Sequence, residues 1–358
     1  MKLLILTQKV DINDDVLGFM HGWIIEFAKH CKKVTVIALG VGEYDLPENV
    51  KVLSLGKEKG ESKLKYIINF YKYIWRERKN YDSVFVHMNP EYIVFGGWPW
   101  KLWNKKVGLW YTHRNVDLKL RVAEKLVDII FTSSQESFRL VSSKVNFMGH
   151  GINLEEFKVE NQKNIIDNIF NIIYVGRVSL IKNQKLLIEA VNILVNQYNI
   201  KNIKINLIGG ASNSKDEDYI AELKRLIEKY KLSNFINFLG SVPHREIRRY
   251  YEKADLSINL CPTGGMDKTV LESMAASLPV VVYNKAFAST LKDFANLLVL
   301  NQTDAAELAE KIKKIIVLEK SERVNLNNYL LKSVEKFSIV NLIKTITDKY
   351  IRENKNIT

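Results

Sequence analysis

Short runs of consecutive apolar residues recur along the chain, separated by stretches whose apolar positions follow helical spacing. KLLIL (2–6), KVTVIAL (33–39), DSVFVHM (82–88), KVGLWYT (106–112) and DIIFTSS (128–134) are predicted strands. Their apolarity is continuous rather than alternating, as expected of strands covered on both faces in a parallel α/β sheet. VLGFMHGWIIEFAKH (16–30) has the spacing of an amphipathic helix, and VNFMGHGINLEEF (145–157) closes the series. From NIFNIIYVGRVS (168–179) the rhythm starts again. NIIYVG, KINLIGG, INFLG, DLSINL and PVVVY are strands, with helices at NQKLLIEAVNILVNQY, EDYIAELKRLIEKYK and HREIRRYYEKA. Two doubly wound, Rossmann-like α/β domains in tandem, meeting near residues 155–170, account for this repetition. The predicted division is an N-terminal domain over 1–158, a C-terminal domain over 159–335, and an amphipathic helix over 336–358 that can pack back on the first domain. Ligands in such sheets bind at the carboxyl ends of the strands, so the expected site is a central cleft faced by both domains.

Composition narrows the class. A chain of 358 residues exceeds one ordinary hydrophobic core, and 47% apolar with 26% charged residues is the balance of a soluble globular protein. Two cysteines give no disulfide framework and fit a reducing compartment. MKLLILTQKV reads as a first buried strand rather than a signal segment, and no stretch approaches a membrane-spanning length. The net charge of +13, from 53 basic and 40 acidic residues, points to anionic partners without choosing among phosphates, nucleic acid and lipid.

Two stretches carry candidate chemistry. In IIYVGRVSLIKNQKLLIEAV (172–191), Arg177 and Lys182 stand at a strand end and a helix start. A guanidinium and an ammonium converging near free helix N–H groups make a diphosphate cradle, and two solvated loop cations are the plain alternative. In TGGMDKTVLESMAASLPVVVYN (263–284), Gly264 and Gly265 permit positive φ and close backbone approach to a ligand. Glu272, one turn into the following helix among apolar neighbours, needs a partner; a ribose diol would donate to both its oxygens. A surface glutamate is the alternative there.

GRVSLIKN, followed some ninety residues later by TGGMDKTVLESMAASLPVVV, resembles the donor-binding half of retaining glycosyltransferases of the "glycosyl transferases group 1" family, whose fold is of the GT-B type. The resemblance is strong over about residues 170–320, and covers the N-terminal half only in rhythm and in LWYTHRN and GHGIN. It implies that Arg177 and Lys182 bind the donor pyrophosphate and that Glu272 binds the nucleotide ribose. The family's first glutamate would fall at Gly264, so Asp267, or the backbone N–H groups of Gly265 and Met266, would take over its contact with the transferred sugar. The resemblance also places His113, in LWYTHRN, against the donor sugar as the catalytic-region residue, with Arg114 beside it at the diphosphate or an anionic acceptor. His150, in GHGIN, suits a domain contact as well as a ligand contact. Asp11, Asp14 and Asp15 in the first loop read as solvated rather than as a metal site.

The segment 56–81 alternates Lys63, Lys65, Lys72 and Arg76 with Tyr66, Phe70, Tyr73 and Trp75. It suits an anionic lipid surface or a plain solvated face. Nearby Trp98, Trp100 and Trp103 add a composition found at membrane interfaces. The expected activity is a metal-independent, hexosyltransferase-like reaction: a nucleoside diphosphate sugar is the donor substrate, with no cofactor, and an envelope glycan or lipid-linked intermediate accepts. The expected location is cytoplasmic, peripheral at the membrane face. A nucleotide-sugar epimerase or hydrolase is one rival. A non-catalytic nucleic-acid-binding relative is another, and it lacks any recognition motif.

Overall fold

The computed structural model describes residues 1–159, 169–262 and 266–355. The chain forms two compact units: Met1–Asn153 with Pro243–Arg245 and Phe337–Thr358, and Leu154–Val242 with Glu246–Lys336. The first boundary thus precedes residue 158, because the short helix Leu154–Phe157 packs on the helix Lys268–Ala275 and Phe157 meets the Tyr251 ring edge-on.

The first unit is built on seven parallel strands: β1 (Lys2–Val10), β2 (Lys33–Val41), β3 (Val50–Ser54), β4 (Ser83–His87), β5 (Lys106–Trp110), β6 (Ile129–Thr132) and β7 (Val145–Phe147). Their order is β3-β2-β1-β4-β5-β6-β7. Successive side chains of a strand point to opposite faces, and here both faces are covered. Leu3 and Ile5 enter a core with Trp23 and Phe27 of the helix Phe19–His30 and with Ile343 and Tyr350 of the helix Ile339–Lys355. Leu4 and Leu6 enter the opposite core, against Phe70 and Ile74 of the helix Lys63–Glu77 and Trp100 of the helix Pro90–Leu102. Each such side chain contributes roughly 1.5–3 kcal/mol on full burial. Two cores need two sets of apolar positions, which is why the strand runs are unbroken.

The C-terminal helix is fastened into the first unit by backbone and side chain. The Ile152 N–H donates to the Phe337 carbonyl and the Ile339 N–H donates to the Ile152 carbonyl, both at 2.8 Å, and the Tyr350 hydroxyl donates to the Val84 carbonyl at 2.7 Å. A Cβ at Gly108 would lie 2.2 Å from that hydroxyl, so the strand beneath the tyrosine must carry glycine. Strand β3 is not among the predicted strands. It lies at the sheet edge with Lys51 exposed, so it has no continuous apolar run.

The second unit has five parallel strands, β8 (Phe170–Val175), β9 (Ile203–Ile208), β10 (Ile236–Gly240), β11 (Leu256–Asn259) and β12 (Val280–Val282), ordered β10-β9-β8-β11-β12. The fold class expected from the sequence, two doubly wound α/β units, is the one observed. HREIRRYYEKA is not one helix: a 3-10 turn His244–Glu246 precedes a short helix Arg248–Glu252.

Candidate functional site

In a parallel sheet of this order, ligands bind beyond the carboxyl ends of the first and fourth strands, where the chain leaves the sheet in opposite directions. In the second unit that place lies beyond β8 and β11. Tyr174 ties the two strand ends together. Its ring is buried, its hydroxyl donates to the Lys182 carbonyl at 2.5 Å, and it accepts the Leu260 N–H at 3.1 Å. Burial holds this phenol well above its ordinary pKa, so it remains a donor.

Beyond β8 the chain turns at Gly176, and Gly209 at the end of β9 comes so near that a Cβ there would lie 2.1 Å from the Gly176 carbonyl oxygen. Arg177 follows, exposed. Its Nη1 lies 3.4 Å from the Ser212 hydroxyl, and its carbonyl accepts from Gln184 Nε2 at 2.9 Å. Leu180–Lys182 is a single 3-10 turn, and left-handed Asn183, at φ 53, leads into the helix Gln184–Asn192. Lys182 therefore stands in the turn ahead of that helix. Its ammonium goes to Asp267 Oδ2 at 2.6 Å, so the two cations are held by different partners instead of pairing up around one empty cradle.

Asp267 occupies the N-cap position of the helix Lys268–Ala275 without capping it. Its Oδ2 accepts from both Lys182 and Asn259 Nδ2, the latter at 2.9 Å. With the capping residue turned aside, N–H groups of the first helical turn have no side-chain cap. Glu272, one turn on, is 4% exposed, which removes the surface-glutamate alternative. Tyr251, itself buried, donates to Glu272 Oε2 at 3.2 Å and lies 3.2 Å from the Thr269 carbonyl. Lys268 stands four residues before Glu272; burial pushes its ammonium down to about 7, against the pull of the Glu272 carboxylate. Met266 is half-buried beside Asp267, whereas Gly264 and Gly265 lie outside the described residues.

Tyr174, Asn259 and Tyr251 are members of this constellation that sequence reasoning does not single out. Asn259 had a signal, a polar residue ending the otherwise apolar run DLSINL. The tyrosines had none, since a tyrosine in an apolar run reads as core.

In the first unit, His113 is exposed in the segment after β5. Its Nδ1 accepts the Asn115 N–H at 3.0 Å, which leaves the proton on Nε2. Arg114 Nε donates to the Glu136 carbonyl at 3.2 Å. His150 is buried where Ile152 pairs with Ser338. Asp11 and Asp14 both engage the Lys9 ammonium, at 3.1 and 2.8 Å. Among the described residues no group of three or more His, Cys, Asp or Glu side chains is arranged to hold a metal ion. No helix among them is long and apolar enough to cross a membrane.

The chain is similar to several known proteins. The chain is 26% identical over 225 residues to the alpha-monoglucosyldiacylglycerol synthase of Acholeplasma laidlawii, covering 61% of this chain and 53% of that protein. It is 25% identical over 176 residues to the human GDP-Man:Man(3)GlcNAc(2)-PP-Dol alpha-1,2-mannosyltransferase, covering 47% of this chain and 35% of that one. The chain thus spans about half or less of the length of these curated relatives. Among solved structures, Anabaena Alr3699/HepE in complex with UDP and glucose superposes with a TM-score of 0.76 at 18% identity, over 98% of this chain and 99% of that chain, which shows a shared GT-B fold. Residues 156–332, which hold Arg177, Lys182, Asp267 and Glu272, match the family model described as Glycosyl transferases group 1, and this half of the chain belongs to that family.

Proposed function

We propose that the protein is a retaining glycosyltransferase that moves a hexose from a nucleoside diphosphate donor to a lipid-linked or envelope-glycan acceptor, with the diphosphate held beyond β8 and β11. The observation that carries this reading is the Lys182–Asp267 pair at the switch point, beside the exposed guanidinium of Arg177 and a helix start without a side-chain cap. An ammonium has three N–H donors and Asp267 takes one, so Lys182 can be held in place and still donate to diphosphate oxygens. Held in advance, it needs no reorganisation when negative charge builds on the leaving diphosphate. Arg177 and the first N–H groups of the helix Lys268–Ala275 add to that stabilisation, and the reading invokes no metal ion for it.

Retention follows if the leaving group is also the base. The bond from the sugar to the diphosphate breaks, the acceptor oxygen forms its bond on the same face, and a diphosphate oxygen takes the acceptor's hydroxyl proton. Glu272, oriented by Tyr251, is the proposed ribose acceptor. Asp267 is the proposed substitute for the carboxylate missing at Gly264; both of its contacts fall on Oδ2, so Oδ1 is left for a sugar hydroxyl. His113, with its proton on Nε2, is proposed to face the transferred sugar, on the family resemblance.

UDP-glucose is the first donor to test, since the Anabaena structure carries UDP and glucose. The relatives' names give a diacylglycerol glycolipid and a dolichol-linked glycan, which support a lipid or lipid-linked acceptor. The test is incubation with labelled UDP-, GDP-, ADP- and dTDP-sugars and a membrane lipid extract, with chelator present. Label entering the lipid phase with one donor is expected. Donor consumed equally without acceptor would mean a hydrolase or epimerase, and no donor consumed would overturn the reading.

A further inference from the structure

A helix lying on a sheet needs one apolar stripe, and in Lys63–Glu77 buried Phe70 and Ile74 belong to it. This helix has a second stripe. Leu64, Ile68, Tyr71 and Trp75 follow one another at i, i+4, i+7 and i+11 on another face, and are 68, 51, 41 and 58% exposed. The helix Pro90–Leu102 turns Phe95, Trp98 and Leu102 outward at i, i+3 and i+7, at 40, 70 and 81% exposed. The helices are tied by the Tyr71 hydroxyl donating to the Phe95 carbonyl at 3.1 Å. Between them runs a groove of about 1090 Å³ whose lining includes Trp75, Trp98, Leu102, Lys72, Arg76 and Arg78.

The charges around it are of one sign. Lys63–Glu77 carries Lys63, Lys65, Lys72 and Arg76 against a single acid, Glu77, which is buried and paired with Lys51 and Arg76 at 2.8 and 3.2 Å. On the second helix Glu91 is paired with Lys119 at 2.8 Å. The Arg78 guanidinium lies 4.2 Å from the Trp75 ring centroid, with its charge above an exposed aromatic face. Exposed tryptophans and leucines flanked by an excess of cations match a layer that is apolar beneath and anionic above. A second copy fits less well, because two-fold pairing of this face would set its cations against themselves.

We propose that this groove is a docking surface for an anionic lipid bilayer, with Trp75, Trp98 and Leu102 entering the interfacial layer and the lysines and arginines against lipid phosphates. The docking goes beyond the proposed transfer reaction and does not depend on it, so it is measured without donor. Full-length protein is sedimented with phosphatidylcholine vesicles and with phosphatidylcholine–phosphatidylglycerol vesicles, and tryptophan emission is recorded. Wild type is expected to pellet only with the anionic vesicles, with its emission shifted to the blue. Trp98→Ser with Leu102→Ser should lower the bound fraction about tenfold, and Lys65→Glu with Lys72→Glu should do the same by removing the attraction to the surface. Both pairs are exposed, so matched thermal melts will show intact folding. Failure of wild type to pellet would overturn the proposal. So would unchanged binding by either variant, or a dimer in the ultracentrifuge that the serine variant dissociates while vesicle binding is absent.

Discussion

At the carboxyl ends of β1 and β4, the first unit's counterpart of the place beyond β8 and β11, Lys9 lies between Asp11 and Asp14, and Gln8 Nε2 donates to Asn89 Oδ1 at 2.7 Å. Beyond β8 and β11, Lys182 meets one carboxylate and Arg177 meets only a hydroxyl. The first set has one cation for two carboxylates; the second has two cations for one. Strand order is the same around both switch points, so topology fixes where a ligand would sit and leaves its charge undecided. The side chains at the strand ends decide it. The second unit's set suits an anion such as a diphosphate, and the first unit's set does not.

The comparison breaks first at Arg177. If its guanidinium serves the diphosphate, Arg177→Ala loses a charge-assisted contact worth about 1.5–3 kcal/mol, and turnover with the working donor should fall roughly 10- to 100-fold. Thermal stability should hold, because the side chain is exposed. A next, smaller effect lies in the clamp. Tyr174→Phe removes the hydroxyl that joins Lys182 and Leu260 and leaves the buried Leu260 N–H without it. Urea unfolding should show a loss of roughly 1–3 kcal/mol.

The smallest effect concerns Lys268, whose ammonium is pushed down to about 7 from 10.5 in the folded chain. Between those values the unfolded chain binds the extra proton, so the burden of this lysine is full below pH 7 and lifts as pH rises toward 10.5. Lys268→Met should therefore stabilise most at pH 6 and least near pH 10. The change in that gain should stay below about 1 kcal/mol over the whole window, because partial exposure screens the charge. Melting curves across that range would show it, and a gain independent of pH would deny the shift.

The sheets were legible because burial on both faces demands apolar residues at consecutive positions, as at Leu3 through Leu6. Edge strand β3 was hidden because one exposed lysine suffices to interrupt such a run. Arg177, Lys182 and Glu272 were legible as charges set against glycine turns and a helix start. Their partners were not. Lys182 and Asp267 are 85 residues apart in sequence, and nothing local says that the ammonium turns to that carboxylate. The mixture of aromatics and cations in 56–81 was plain in the sequence. Which of them face outward depends on how the helix meets the sheet, and that is set by residues elsewhere in the chain.

Calorimetric titration of UDP into wild type, Lys182→Ala and Lys9→Met tests most directly that the second unit's switch point, and not the first's, holds the diphosphate. Lys182→Ala is expected to weaken binding roughly 10- to 100-fold and Lys9→Met to leave it within about twofold. Affinity unchanged in Lys182→Ala, or lost in Lys9→Met, would contradict the assignment.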